Sequence, residues 1–543
     1  MKRRLVHRIP VRVRHYWKLL ATCAATLLAF AVVFSTVRVA PLVTSASNED
    51  GDKVTVNLAG TVDLFDATQA HSLKLTFHDD DYQRVLDAFW NDDEKEYLEA
   101  DLTLDGTVIP SVGIRLKGNS TLQSVTRNGE SRQRGGFGGA RQGGPQGGAA
   151  PQGGAAPQGG AAPQGGAAPQ GGGGFRGGGG MGGRASLKAE EPENLPWLIR
   201  FDEFVEGRRY QGHREVAVRV GGMGGGAAVL NEAVSLDVLA AAGEITQRYA
   251  YTSFTVNDRP TTARLLVEHP DDEFADTVAT ATGHSGVLYK SLSTSQFTDQ
   301  GDDPTEYADD FKQINKKGSQ DLQPVIDLVQ WVNSASDAEF DAKLADHVDV
   351  ESFARYVATQ NLLVNFDDMA GPGRNYYLWY DLDTKKFSVV GWDYNLTLSG
   401  SATQDPSQSV SMGGGMRGGG GFPAGGGDFQ LPEGMQLPEG MEPPQGGQMP
   451  QGGGRGGFMS GHKLKERFLA SAAYQDDYQK AYKELFNKIY GNAAALNKIT
   501  AITKVIGTVD GANAAAVKTE ADNLTTLIRE RTQFLATHQF ITG

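Results

Sequence analysis

Apolar and polar residues alternate in three stretches near the start of the chain: Lys53 to Leu58, Leu73 to Phe77 and Ala100 to Leu104. A period of two marks strands with one buried face. Asp105-Gly106, directly after the third, reads as a two-residue hairpin turn. Further along the period lengthens. Leu230 to Ala242 has helical spacing and stops at Gly243. A second helix is expected from Gln320 to Ala335, with Ser319 as its cap and Pro324 tolerated in its first turn. A third, Val350 to Val364, starts behind Asp349. Between them Ala250 to Val256, Tyr376 to Tyr380 and Phe387 to Val390 read as strands. From about His462 the chain is mostly helical. Tyr474, Tyr478, Tyr482, Leu485, Phe486 and Ile489 fall on one face, a core-packing stripe. The fold class expected is α+β.

Two tracts carry no such pattern. The first, from about Gly129 to Arg184, repeats Pro-Gln-Gly-Gly-Ala-Ala from Pro145, Pro151, Pro157 and Pro163. The second, from about Ser411 to Gly457, mixes Gly runs with Leu-Pro-Glu-Gly-Met repeats. Neither holds enough apolar surface to offset the entropy of ordering it, so both are expected to be disordered insertions. The expected organisation is an N-terminal segment (1–45), a strand-rich part (50–128), an insertion (129–186), a core (187–400), a second insertion (401–460) and a helical part (461–543).

The N-terminal segment has its own signature. Its first 18 residues hold seven Lys or Arg and no acid, and Leu19 to Val37 then runs without a charge. A basic flank before such a run reads as a signal anchor or a long signal peptide, with the body outside the cytoplasm. Thr44-Ser45-Ala46 offers a cleavage site, so a membrane-anchored form and a released form both stand.

Composition narrows the partners. The 543 residues carry a net charge of −14, and setting aside the eight positive charges of residues 1–48 leaves the body at −22. A body this acidic is not expected to bind nucleic acid. The single cysteine, Cys23, lies in the N-terminal run, which excludes a disulfide framework or cysteine metal site in the body. His213, His269 and His284 lack zinc-site spacing, Gly301 to Asp310 is acidic without EF-hand spacing, and no Gly-x-Ser-x-Gly elbow is present.

The chemistry concentrates after the third helix. Asn365-Phe366-Asp367-Asp368-Met369-Ala370-Gly371-Pro372-Gly373-Arg374-Asn375 forms a loop, a hairpin follows, and Gly391-Trp392-Asp393-Tyr394-Asn395 leaves it. Acid, amide, and a second acid at a hairpin exit suit metal-assisted phosphoryl transfer. One carboxylate orients a hydroxyl, while the amide and the other carboxylate hold magnesium under a nucleotide's phosphates. A purely structural turn network is the competing reading.

Several stretches together resemble the spore-coat H (CotH) kinase family. They are Gly113 to Thr121, Phe201-Asp202-Glu203-Phe204, Leu230-Asn231-Glu232, Tyr251 to Asn257, Leu265-Leu266-Val267-Glu268, Val287-Leu288-Tyr289-Lys290, Asn365 to Leu378 and Trp392 to Asn395. The likeness spans about residues 70–540, interrupted by the Gly-rich tracts. It implies an atypical protein-kinase-like fold with a strand-rich N-terminal lobe and a helical C-terminal lobe. It also implies ATP with Mg2+ or Mn2+, and Ser or Thr of secreted or surface proteins as acceptors. Carried onto matching positions, Asp367 is the catalytic base, Asp393 the principal metal ligand, and Asn375 a second ligand or the residue that orders the loop. Asp368 is the alternative to Asp367.

The cationic half of the site stays open at this stage. Lys117, oriented by Glu232 as an ion pair, and Lys290 are rival phosphate contacts, and Glu268 marks either the adenine hinge or a plain salt bridge. Gly221 to Gly226 offers backbone N–H groups to phosphates or is simply a turn. The chain departs from the family where a lysine is common before the Phe-Asp turn, since Pro196 to Phe201 offers only Arg200. That departure keeps a catalytically inactive surface binding or assembly protein as the alternative function, with another metal-dependent phosphotransferase or nucleotide hydrolase behind it.

Overall fold

A computed structural model describes residues 53–118, 121–132, 187–221, 226–410 and 461–543. The N-terminal segment, most of both Gly-rich tracts, Asn119-Ser120 and residues 222–225 of the Gly run lie outside the described residues. Among the described residues no helix is long and apolar enough to cross a membrane.

The fold is α+β. Seven strands close into a barrel: β1 (Ala70–Thr76), β2 (Leu98–Leu104), β3 (Thr107–Leu116), β4 (Trp197–Arg200), β5 (Glu215–Val218), β6 (Tyr249–Val256) and β7 (Thr262–Glu268). Their order is β5-β7-β6-β1-β2-β3-β4, with β4 returning to β5. The β1–β6 contact is parallel and the others antiparallel. The expected turn joins β2 to β3: Asp105 and Gly106 both have positive φ, 47° and 80°, as a tight hairpin requires. Inward residues such as Leu75, Leu102, Ile114, Trp197 and Val216 fill the barrel, and helix α1 (Asp79–Asp92) adds Val85 and Phe89. Lys53 to Leu58 yields only a short strand, Val56–Leu58, which pairs with Arg208–Tyr210 outside the barrel.

A second sheet follows in the order β9-β8-β10-β11, from β8 (Gly286–Ser291), β9 (Phe311–Gln313), β10 (Tyr376–Asp381) and β11 (Phe387–Gly391). Helices α3 (Asp272–Thr282) and α6 (Val350–Leu362) pack on it, and α2 (Leu230–Ala242), α4 (Gln323–Ser334) and α5 (Asp337–His347) belong to the same half of the chain. The C-terminal α7 (Lys463–Ala470), α8 (Gln475–Ile489), α9 (Ala494–Ile506) and α10 (Ala514–Thr537) complete the helical body. α2 is buried on nearly every side because α8, α9 and α10 all pack on it. Tyr474, Tyr478, Tyr482, Leu485, Phe486 and Ile489 are buried in the same core.

One cap differs from expectation. α4 starts at Gln323, and Ser319 instead bonds the Lys316 carbonyl. Asp321 accepts from the first helical N–H, that of Gln323, at 3.0 Å, and Pro324 falls in the first turn, where its missing N–H leaves no bond unmade. Asp349 caps α6 by accepting from Ser352 N–H at 3.0 Å.

Candidate functional site

The loop carrying Asp367 leaves the C-terminus of α6, and that end is tied down. Buried Arg531 of α10 donates to Asn361 Oδ1 at 2.8 Å, and Asn361 donates to the Asp405 and Gln408 carbonyls. Asn365 then donates to Gln360 and accepts from Asp367 N–H. The loop folds back so tightly that a Cβ on Gly371 would lie 2.4 Å from Asp367 Cα. A Cβ on Gly373 would lie 2.7 Å from the Asp367 carboxylate, so both positions need glycine for close approach.

This packing fixes the Asp367 carboxylate. It accepts from Gly373 N–H through Oδ1 and from Asn375 Nδ2 at 2.9 Å through Oδ2. Asn375 therefore orders the loop. Asp367 is 8% exposed. Burial lifts its carboxyl to about 6, opposed by the Gly373 bond and reinforced by the nearby charge of Asp393. Asp368 has a different setting. It is fully buried, pairs with Lys465 of α7 and accepts from Ala370 N–H. A carboxylate held by an ammonium at the core has no path to a substrate hydroxyl. Of the two acids, Asp367 is the one not held by a buried lysine.

Asp393 follows β11 in a left-handed conformation (φ 59°, ψ 67°). A non-glycine residue in that region is strained and is held there by its surroundings. Asn231 of α2 supplies part of the hold, donating to the Asn395 and Thr397 carbonyls at 2.7 and 2.9 Å. Arg219, just after β5, brings Nη2 to 2.9 Å from Asp393 Oδ1, an ion pair without hydrogen-bond alignment. The same nitrogen donates to Glu232 Oε1 at 2.5 Å. Burial lifts the Glu232 carboxyl to about 7, against the pull of Arg219.

The ion pair expected between Glu232 and Lys117 is thus made by Arg219 instead. Lys117 directly follows β3, and its ammonium stands 5.2 Å from the Trp392 ring. Lys290, on β8, stands 5.5 Å from the same ring, and the Arg219 guanidinium 5.2 Å. Three cations therefore converge on one indole, whose π face attracts each of them. Burial first, then their mutual repulsion, pulls Lys117 well below its ordinary range. Lys290 falls to about 8, mainly by burial with Lys312 adding. Both rival lysines line one site.

Glu268 lies apart from this group. It accepts from Arg248 N–H at 3.0 Å and faces the Arg248 guanidinium and His213, each 3.7 Å away. Its side chain is engaged in salt bridging. Arg200 donates to Asp202 at 2.6 Å and lies 3.2 Å from Glu203, so it does not replace the family's lysine. Sequence reasoning missed Arg219. The available signal was a lone arginine ending an apolar strand beside the Gly run.

The donor set suits a divalent cation under phosphates. Asp393 Oδ1 and Glu232 Oε2 are buried without hydrogen-bond partners, and oxygen ligands are what Mg2+ and Mn2+ take. Among the described residues a second His/Asp cluster, His284, Asp381 and Asp383, sits at the opposite end of β10. It borders a cavity of about 390 Å3 that touches none of Asp367, Asp393, Arg219, Glu232, Lys117 and Lys290.

Comparisons with known proteins bear on the same region. The model of the CotH kinase protein family matches residues 175–535, a span that holds Arg219, Glu232, Lys290, Asp367, Asn375 and Asp393. The inner spore coat protein H of Bacillus subtilis (strain 168) is 31% identical over 71 residues, 13% of this chain and 19% of that protein. The chain thus spans about a fifth of the length of the curated relative it matches.

Proposed function

The chain belongs to the CotH kinase family, and from that premise we propose that it is a protein kinase acting outside the cytoplasm. It would transfer the γ-phosphoryl group of ATP, with Mg2+ or Mn2+, to Ser or Thr of secreted or cell-surface proteins. The observation that carries the reading is the Asp367 carboxylate, buried and oriented by two donors beside the charge of Asp393.

In this reading Asp367 accepts the proton of the acceptor hydroxyl as its oxygen attacks the γ-phosphorus, and ADP leaves with the bridging oxygen. Asn375 and Gly373 keep the base aimed, so little reorganisation is left for the transfer itself. Asp393 and Asn375 would hold the divalent cation, which neutralises phosphate charge when bound. Lys117, Lys290 and Arg219 face the triphosphate, and the Trp392 ring keeps the three cations together against their repulsion. The basic flank and apolar run at residues 2–37 support placement at the cell membrane, or release if that segment is cleaved.

The test is autophosphorylation of the full chain with labelled ATP and Mg2+ or Mn2+. Label should enter the wild type and be lost in Asp367→Ala and in Asp393→Ala. Equal labelling of both variants would sink the site assignment. Phosphate release without protein labelling would make the protein a nucleotide hydrolase. No labelling together with no thermal shift on ATP–metal would make it a surface binding protein.

A further inference from the structure

Among the described residues, Arg219 is the cation in salt-bridge contact with Asp393. One nitrogen, Nη2, serves two carboxylates: it is bonded to Glu232 Oε1 and lies 2.9 Å from Asp393 Oδ1 without alignment. Its Nε is buried and has no acceptor. Lys117 and Lys290 approach the same Trp392 ring but form no salt bridge with Asp393 among the described residues. The guanidinium is therefore hydrogen-bonded to Glu232 and ion-paired with Asp393, with one N–H group unused.

A divalent cation takes carboxylate oxygens at roughly 2.1 Å, which would put it within about 5 Å of Arg219 if Asp393 kept its present partner. Like charges at that separation in a partly buried site repel strongly. We infer that Arg219 is a positioning residue that occupies Asp393 in place of the metal, and turns to the phosphates while still held by Glu232 when metal and nucleotide arrive together. The inference rests on the reading of Asp393 as the metal ligand. Its consequence is coupling: metal alone must displace Arg219 with no compensation, whereas the triphosphate offers the displaced guanidinium a new acceptor.

The experiment measures Mn2+ binding to the purified full chain without nucleotide, by electron paramagnetic resonance of the free ion. Arg219→Met should bind Mn2+ about tenfold tighter than wild type, the effect of losing one partly buried competitor, while binding Mn2+–ATP more weakly. Arg219→Lys keeps the charge but shortens the reach, so its ammonium cannot hold Glu232 and sit against Asp393 as one guanidinium nitrogen does, and it too should bind Mn2+ more tightly. Lys290→Met removes a like charge from the same cluster without a contact to Asp393, and should change Mn2+ affinity by less than about threefold. Unchanged or weaker Mn2+ binding in Arg219→Lys overturns the inference, as does an equal response of Arg219→Met and Lys290→Met. Should Arg219→Met not fold, the lysine variant alone decides. Asp393→Asn separates the two levels. If it leaves Mn2+ affinity untouched, the reading of Asp393 itself fails; if it abolishes binding while the Arg219 variants are inert, only the displacement fails.

Discussion

As the proposed base, Asp367 combines two demands that pull against each other: a base must be ionised to act, and a buried carboxyl resists ionisation. Burial holds it at about 6, so phosphoryl transfer should rise about tenfold per pH unit below that value and level off above it. A kcat/KM profile from pH 4.5 to 8 checks this, and a flat profile would remove Asp367 as the base. The same shift has a stability consequence. The folded protein holds this proton more tightly than the unfolded chain does. The contribution is therefore fully present below the ordinary value of 3.8 and is lost as pH rises through about 6. Its neighbour shows the opposite use of an acid. Lys465→Met strands the buried Asp368 charge and should cost about 3–5 kcal/mol, read from the urea midpoint, if the pair is intact. An unshifted midpoint would show the pair to be dispensable. At this scale the sequence made the acids legible, because a loop and a hairpin exit bring them forward locally. The pairing of Arg219 was not legible. Its partners, Glu232 and Asp393, come from a helix and a hairpin that only tertiary closure sets beside the end of β5.

The elements show why α2 matters to those side chains. Its start is irregular, with Val229 in a left-handed conformation and no side-chain cap of its own. The free N–H groups of Ala228 and Leu230 are instead taken by Glu520 of α10, at 3.0 and 2.6 Å. An acid at a helix N-terminus satisfies orphan donors and complements the dipole. Glu520→Ala should therefore cost about 1–2 kcal/mol in urea unfolding. Because α2 carries Glu232, the variant should also lower autophosphorylation more than an equally destabilising change in α5 does. Equal losses in the two would show that Glu520 acts on stability alone. Local pattern was a good guide here: Leu230 to Ala242 and the start of α6 stand where helical spacing and a cap put them. It was a poor guide to α1, α3 and α5, which sequence reading left out. Glu520 was also beyond its reach, since a cap supplied from 290 residues away leaves no local trace.

For the whole molecule, the decisive feature is that the barrel closes between strands separated in sequence by the first Gly-rich tract. The β1–β6 parallel contact pairs Ala70 with Tyr251, and β3 pairs with β4 across the tract itself. Alternation announces strands, but it does not announce which distant strand each will meet, so the closed barrel was not legible. The tract is nonetheless flanked by order. Val125–Arg127 pairs with Glu130–Ser131 on one side and with Leu187–Lys188 on the other. Two interstrand spacings, about 10 Å, therefore separate the points where the chain leaves and re-enters. A linker of about six residues spans that distance easily. Replacing residues 133–186 with a six-residue Gly-Ser linker shortens the loop about ninefold, which lowers its closure entropy by about 2 kcal/mol. The shortened chain should fold with a Tm equal to or a few degrees above the wild type, and should retain autophosphorylation if the proposed site is complete without the tract. A Tm drop of several degrees would mean that the tract contributes packing to the barrel. A retained Tm with lost phosphorylation would instead assign it a part in binding the acceptor protein, since no residue of the Asp367–Asp393–Arg219 cluster lies within it.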